Sequence, residues 1–128
     1  VALGASVPAA AEYGQSCTNI AELNVAAARW LDEHAPRGAW LASADAGAVR
    51  LLTERPVVDL VGLNDHRVLE DRAAVLRERD PAYYVVFESW FPTMVASPRF
   101  EVVHRLESTP YVLCRDCEQS EMLILRRR

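Results

Sequence analysis

The chain contains no lysine and no long hydrophobic run. All 14 of its basic residues are arginine, and 18 acidic residues give it a formal net charge of −4. This negative charge, together with the lack of a basic stripe carrying aromatic residues, argues against a nucleic-acid partner. No apolar run reaches the roughly 18 residues that a helix needs to cross a bilayer. The glycine spacing of dinucleotide-binding loops, G-x-G-x-x-G, is absent as well.

Size and composition indicate one folded domain. The 128 residues are 51% hydrophobic, which is enough to form a single core. The chain opens on small, apolar residues, and we interpret residues 1–12 as a flexible leader. The end of a removed membrane helix or the remnant of a signal sequence would have a similar composition. We therefore assign a single domain to residues 13–128.

Helical and extended patterns alternate along the first two thirds of the chain. A helix with one apolar stripe is predicted to begin at Thr18 or Asn19, either of which can cap it, and to end before Pro36. Further helices are predicted at 46–53 and 66–79, and a short helix or loop at 89–97. The predicted strands lie at 39–44, 57–60, 82–87, 100–107 and 121–127, with a possible further strand at 110–115.

This alternation predicts a three-layer α/β fold. Repeats of strand, helix and strand favour parallel pairing with right-handed crossovers. The strands of the C-terminal third follow one another with turns between them. We therefore expect a mainly parallel sheet with an antiparallel C-terminal edge. The helix at 66–79 should pack on this sheet through Val68, Leu69, Ala73 and Leu76.

An acidic residue and a glycine follow the first predicted strand. Asp45 comes directly after the strand at 39–44, and Gly47 follows two positions later. A carboxylate here can cap the next helix by accepting free backbone N–H groups, or it can bind a sugar hydroxyl or a cation. Gly47 would let a ligand or another backbone approach closely. Asp45 and Gly47 are therefore candidate ligand-binding residues.

The second predicted strand ends in Asp59, which is followed by Gly62, Asn64 and Asp65. Gly62 is expected to take a positive φ, and Asn64 or Asp65 can cap the next helix. If the two strands are neighbours, Asp45 would lie near Asp59 in a cleft at the carboxyl edge of the sheet. Two carboxylates there could bind a divalent cation, hold sugar hydroxyls or divide acid and base roles. Asp59, Gly62, Asn64 and Asp65 are therefore candidate ligand-binding residues as well, with turn and cap chemistry as the simpler interpretation.

Cys114 and Cys117 have the C-x-x-C spacing of redox dithiols and of half a zinc site. Only Cys17 and three scattered histidines could complete a zinc site, and the pair lies between predicted strands rather than at a helix start. We therefore predict no metal and no cofactor, and we interpret the pair as a local disulfide if the compartment is oxidising. Cys17 is then expected to be a free, partly buried thiol. A small redox enzyme is the alternative.

An aromatic residue follows the strand at 82–87. Trp90 is a candidate for stacking on a sugar ring or for touching a membrane interface, with core packing as the alternative. The sequence fixes no nucleophile or histidine beside the acidic residues. We therefore assign no catalytic residue.

Five short segments occur in a characteristic order. They are a helix end with an aromatic residue, a proline–glycine turn into an apolar strand, an Asp-x-Gly step, a strand that runs into Asp and Gly-Leu, and a strand opened by proline. The segments are Arg29-Trp30-Leu31, Pro36-Arg37-Gly38-Ala39-Trp40-Leu41, Asp45-Ala46-Gly47-Ala48-Val49, Val58-Asp59-Leu60-Val61-Gly62-Leu63 and Pro81-Ala82-Tyr83-Tyr84-Val85-Val86. With them, residues 13–105 resemble the soluble C-terminal domain of bacterial polytopic glycosyltransferases of the dolichyl-phosphate-mannose–protein mannosyltransferase type and their uncharacterised relatives.

The resemblance implies a many-helix membrane part and a soluble domain outside the cytoplasm, periplasmic or at the cell surface. It also implies lipid-linked sugar donors for the whole protein. In that family the catalytic acid lies in the membrane part, so no residue of this chain takes that role. The segment with Cys114 and Cys117 has no counterpart in the family.

We therefore expect an accessory domain that positions the acceptor or the lipid-linked sugar donor. Its partner would be the membrane-embedded part of the same polypeptide. A stand-alone secreted or membrane-anchored binding module without catalytic activity is the alternative.

Overall fold

The computed structural model describes residues 6–113 and 121–128. A long N-terminal helical segment leads into a five-stranded sheet. The helices are α1 (Ser6–Asn19), α2 (Ala26–His34), α3 (Ala46–Thr53), α4 (Arg67–Arg79) and α5 (Pro92–Val95), with a π-helical segment at Ile20–Val25. The strands are β1 (Leu41–Ser43), β2 (Val57–Asp59), β3 (Tyr83–Phe87), β4 (Phe100–Glu107) and β5 (Glu121–Arg127). Within the described residues, no helix has both the length and the apolar character needed to cross a bilayer.

The sheet has the strand order β2-β1-β3-β5-β4. Strand β1 pairs in parallel with β2 and with β3, because α3 and α4 carry the chain back between these strands. Strand β5 runs antiparallel to both β3 and β4. The predicted fold class, a mainly parallel sheet with an antiparallel C-terminal edge, is confirmed.

Helices cover both faces of the sheet, which makes the domain three layers deep. Successive side chains of a strand point to opposite faces, and β5 follows this rule. Met122 and Ile124 pack into a buried cluster with α2 and α3. Leu123 and Leu125 pack into a second cluster with α4. The bounds of α3, β4 and β5 coincide with the predicted ranges.

The first helix begins earlier than predicted. Helical backbone runs from Ser6 to His34, and it continues through the π-helical segment. Asn19 does not cap a helix, because its φ of −57° and ψ of −44° are helical and its side chain makes no capping bond. Asn19 is instead fully buried, and its Nδ2 donates to Ser108 Oγ at 2.6 Å. The predicted cap is therefore a tertiary anchor between the helix and the segment that follows β4.

The buried face of α4 also differs from the prediction. Val68 is buried as expected, but Leu69 is 68% exposed and Ala73 is exposed. The helix is kinked at Asp71, whose φ of −150° and ψ of 84° are not helical. The Asp71 carboxylate accepts the N–H of Ala74 at 2.8 Å and so restarts the helix with a new phase. A single helical period could not predict the inward residues across this kink.

A buried arginine fixes the position of α3 and β2 against α2. Arg55 is 4% exposed, and its Nη1 lies 2.7 Å from Asp32 Oδ1. Its guanidinium also donates to the C=O groups of Ala35 at 2.8 Å and Pro36 at 3.3 Å. Carbonyls at the end of a helix lack partners within the helix, so these bonds satisfy groups that would otherwise need water. Arg55 thereby ties the end of α2 to the turn that leads into β2.

Candidate functional site

A cleft of about 650 Å³ lies at the outer edge of the sheet, beside β2. We name it the β2 cleft and define it by its main lining residues: Gly47, Arg50 and Leu51 of α3, Val57 and Asp59 of β2, and Asn64. Gly47, Asp59 and Asn64 were predicted as site residues from their positions after strands. The structure brings these three together.

Gly47 is an exposed lining residue of the β2 cleft with free space around it. Gly47 lies in the first turn of α3 and is exposed, and a Cβ added to it would meet no heavy atom within 4 Å. A larger side chain there would project without a clash. Gly47 is therefore a position at which the volume of the cleft can be changed without disturbing the core.

Asp59 is held by four hydrogen bonds and is 5% exposed. Its Oδ1 accepts the N–H groups of Val61 at 3.0 Å and Gly62 at 3.1 Å. Its Oδ2 accepts the backbone N–H and the side-chain Nδ2 of Asn64, both at 2.9 Å. A carboxylate offers about four acceptor sites, so each oxygen of Asp59 is already satisfied.

The electrostatics of Asp59 agree with this geometry. Burial raises the pKa of Asp59, but the hydrogen bonds from Asn64, Gly62 and Val61 outweigh that effect and hold the pKa below its ordinary value. Asp59 therefore stays ionised and shapes the loop at 59–64. The structural role, turn chemistry, is the one that the contacts support.

Asp45 does not join Asp59 in the β2 cleft. It is exposed, it makes no side-chain bond at the start of α3, and its Oδ2 accepts from Nδ2 of the buried Asn24 at 2.6 Å. Asn24 belongs to the π-helical segment, so Asp45 is turned towards the N-terminal helix. The negative charge of Asp45 also adds to burial in raising the pKa of Tyr111. The expected capping role of Asp45 is wrong, and the expected carboxylate pair is not formed in this cleft.

Gly62 and Asp65 have the local roles that turn chemistry predicts. Gly62 has a φ of +85°, and a Cβ there would come within 2.8 Å of Leu69. Asp65 Oδ1 accepts the N–H of Arg67 at 3.1 Å in the first turn of α4. A hydrogen bond from the Arg67 side chain holds the pKa of Asp65 below its ordinary value. Asn64 does not cap α4, because its side chain is bound to Asp59.

Asp65 lines a second cavity, of about 250 Å³, on the other side of β2. We name it the Trp40 cavity and define it by Trp40, Arg67 and Arg79 together with Asp65. The guanidinium carbon of Arg79 lies 4.7 Å from the centroid of the Trp40 ring, a cation–π arrangement.

A family model described as a domain of unknown function, DUF8728, matches residues 13–124 of this chain. The chain belongs to the DUF8728 family. No curated protein and no solved structure matches it significantly.

In this DUF8728 domain, Trp90 lines neither the β2 cleft nor the Trp40 cavity. It is 47% exposed, and its ring centroid lies 5.2 Å from that of Phe87. Its backbone N–H donates to the C=O of Phe87 in the turn after β3. Trp90 thus combines partial packing with an exposed face, at a different part of the surface from the β2 cleft.

The cysteine predictions divide into two groups. Cys114 and Cys117 lie outside the described residues, so their disulfide stays a prediction. The predicted strand at 110–115 is not formed over its described part, 110–113. Cys17 is a free thiol and is exposed, where partial burial was expected. Among the described residues, no group of three or more His, Cys, Asp or Glu side chains could hold a metal ion.

Five lining residues of the β2 cleft were not predicted: Ala46, Arg50, Leu51, Glu54 and Val57. Arg50 and Leu51 lie on α3, and Leu51 is 77% exposed. Glu54 ends α3 in a left-handed conformation, with a φ of 53°, and its side chain is exposed beside the cleft. The predicted site residues follow the ends of strands, whereas four of these five lie on α3 or at its end. A leucine in a short helix ordinarily indicates burial, so no local signal marks Leu51 as a lining residue.

Proposed function

We propose that this DUF8728 domain is a non-catalytic accessory domain of a membrane-embedded, glycosyltransferase-like protein. It is held outside the cytoplasm by the membrane part of the same polypeptide. Its β2 cleft holds the acceptor or the lipid-linked sugar donor near the membrane active site. This proposal joins the resemblance of residues 13–105 to the geometry of the cleft.

The lining of the β2 cleft supports binding. Leu51 and Val57 give it an apolar wall, and Arg50, Glu54 and Asn64 surround that wall with polar groups. Arg50 Nη1 donates to the C=O of Arg55 at 2.7 Å, which holds this side chain along the rim. Ligand sites commonly combine an apolar surface with a few placed polar groups.

The single observation that carries the non-catalytic role is the saturation of Asp59. It is the most buried carboxylate of the cleft, and four N–H donors occupy its two oxygens. A general base needs a free lone pair within reach of the proton that it removes. Asp59 is therefore a scaffold for the binding surface, and the chemistry belongs to the membrane part.

Filling the cleft tests the binding role. In the full-length protein, Gly47→Phe should reduce sugar transfer in isolated membranes, because the ring would occupy the cleft. The melting temperature of the 128-residue chain should change little, since nothing lies within 4 Å of the added Cβ. Gly14→Phe is the matched control, because Gly14 is also helical with open space around it but lies on α1. Equal transfer by the two variants would refute the binding role.

Cys17 offers a test of location and of attachment to the membrane. It is an exposed free thiol. With Cys114 and Cys117 replaced by serine, a membrane-impermeant maleimide added to intact cells should label Cys17. Labelling that needs cell lysis would contradict a location outside the cytoplasm.

The gene sequence upstream of Val1 tests the attachment to a membrane part. It should encode several apolar segments of about 20 residues. A lone signal peptide there would instead favour the stand-alone module.

A further inference from the structure

The free edge of β2 presents unpaired backbone groups. Within the part of the chain that the structure describes, β2 is the outermost strand and pairs only with β1. The C=O of Pro56 accepts the N–H of Leu41, and the N–H of Leu60 donates to the C=O of Ser43, both at 2.9 Å. Backbone groups of a strand alternate sides, so Pro56 and Leu60 face β1.

Val57 and Asp59 therefore direct their backbone groups away from the sheet. The C=O of Asp59 accepts the N–H of Gly62 at 3.2 Å. The N–H and C=O of Val57 and the N–H of Asp59 have no partner within 6–113 or 121–128. An unpaired strand edge of this kind is a template for the backbone of another strand.

This edge lies between the two cavities. The β2 cleft, of about 650 Å³, opens on the α3 side, and the Trp40 cavity, of about 250 Å³, opens on the α4 side. Val57, Asp59 and Asn64 line both of them. An added strand would send successive side chains alternately into the two cavities, because side chains of a strand alternate with a period of two.

We propose that the free edge of β2 binds an extended polypeptide segment of a partner, which adds to the sheet as a sixth strand. The proposal rests on the proposed binding role of the β2 cleft and names a peptide backbone as its occupant. A large apolar side chain of the segment would lie against Leu51 and Val57 in the β2 cleft. The next side chain would be smaller and would lie in the Trp40 cavity.

The geometry favours a single peptide over a second copy of this chain. In a pairing of two β2 edges, the side chains nearest the cavities would be those of β2 itself, and Val58 and Asp59 are already 4% and 5% exposed within their own copy. A second copy would therefore leave the two cavities without side chains to fill them. A separate extended segment brings its own side chains, and main-chain bonds with pockets for alternate side chains are how such segments are recognised.

The experiment selects random decapeptides, displayed on phage, for binding to the 128-residue chain. Bound peptides should slow the amide hydrogen exchange of Val57 and Asp59 relative to the unliganded chain. Among the described residues, Val57 offers the one outward C=O of β2 that accepts no hydrogen bond, so N-methylation should abolish binding at a single position of a selected peptide. Failure to enrich any peptide, or binding that no single N-methylation abolishes, would overturn the proposal.

Three variants locate the binding on β2. Val57→Pro removes one outward N–H and should weaken binding by about tenfold, and a proline is tolerated on a strand edge that faces away from the sheet. Because Val57→Pro could also perturb the fold, Leu51→Glu is a second variant, since Leu51 is exposed and lines the cleft. Leu52→Glu is its matched control, because Leu52 is exposed on the same helix and lines a different cavity. Equal binding by Leu51→Glu and Leu52→Glu would place the peptide elsewhere and overturn the proposal.

Three further outcomes are distinguishable. A dimer in which the amides of Val57 and Asp59 are protected would replace the peptide by a second copy and overturn the proposal. Loss of sugar transfer in Gly47→Phe without any peptide binding would overturn strand addition and leave the proposed function standing. Peptide binding with unchanged transfer in Gly47→Phe would support strand addition and overturn the proposed function.

Discussion

The two ends of the sheet are built differently. Strands β4 and β5 are eight and seven residues long, whereas β1 and β2 have three residues each. Opposite charges face each other across β4 and β5: Arg126 lies 2.7 Å from Glu101, and Arg105 lies 2.7 Å from Glu121. Glu101 and Arg126 lie directly opposite each other in the antiparallel ladder, and Arg105 and Glu121 are diagonal neighbours with an offset of two residues. Both arrangements favour this register.

The β1–β2 end has the opposite character. Its strands are short, its outer edge has no partner strand among residues 6–113 and 121–128, and cavities lie on both sides of β2. The loop after β2 is fixed by Asp59 through hydrogen bonds to its carboxylate. We therefore expect the antiparallel end to contribute more to the stability, while the proposed binding surface lies at the parallel end.

The largest expected effect comes from truncating one leucine at each end. Leu123 of β5 and Leu60, just after β2, are both fully buried in the same cluster. Leu123→Ala should cost about 3–5 kcal/mol of unfolding free energy, because the site lies between two long strands and cannot collapse. Leu60→Ala should cost about 2–3 kcal/mol, because the neighbouring cavities allow the site to relax. Urea unfolding measures both, and a larger loss for Leu60→Ala would reverse the comparison.

An intermediate effect is expected at Asp59. Asp59→Asn should cost about 1–3 kcal/mol at neutral pH, since an amide nitrogen would face an N–H donor where an oxygen now accepts. The pKa of Asp59 in the folded chain lies below its ordinary value of 3.8. Its contribution to stability is therefore present above that value and is lost as the pH falls through the folded pKa. Urea unfolding at pH 7 and pH 3 should show a smaller acid-induced loss for Asp59→Asn than for the wild type.

Asp65→Asn is the control for this measurement. Asp65 also has a lowered pKa, but its partner is the solvent-exposed Arg67. Exposed ion pairs contribute about 0–1 kcal/mol, so the stability of Asp65→Asn should change little at either pH. Equal acid sensitivity of the two variants would show that the loop at 59–64 is not held by Asp59.

The smallest expected effect is a gain at Gly47. Gly47→Ala should stabilise the domain by up to about 1 kcal/mol, because alanine has the higher helix propensity and its Cβ meets nothing within 4 Å. Gly14→Ala should give a comparable gain for the same reason. Thermal unfolding measures both. If Gly47 is needed for close approach of a ligand, only Gly47→Ala will lower sugar transfer in the full-length protein, and a loss of stability in Gly47→Ala would contradict the open space seen beside α3.

Local sequence signals predicted much of the fold and part of the site. The helix at 46–53 and the strands at 100–107 and 121–127 were located correctly, because residue types with strand or helix preference and the turns that bound them act over a few residues. Gly62 and Asp65 were also assigned correct turn and cap roles. These roles depend on the backbone conformation of a few consecutive residues, and glycine and aspartate themselves favour the turn conformations that are found here.

Other features depended on contacts that are distant in sequence. Asn19 has the residue type of a helix cap, but Ser108 lies 89 positions away and captures its side chain. The carboxylate of Asp45 is captured in the same manner by Asn24. A buried polar group must find a partner, and which partner is available is decided by packing.

The sequence alone determined the order of helices and strands and the turns after Asp59, because periodicity and turn chemistry act over a few residues. Tertiary structure alone decided that α3 lies beside the outer edge of β2, which creates the cleft and leaves Val57 unpaired. It also decided that Asp45 faces the N-terminal helix. The physical reason is that the partner of a side chain or a strand edge is selected by the packing of whole elements, and no local pattern encodes that packing.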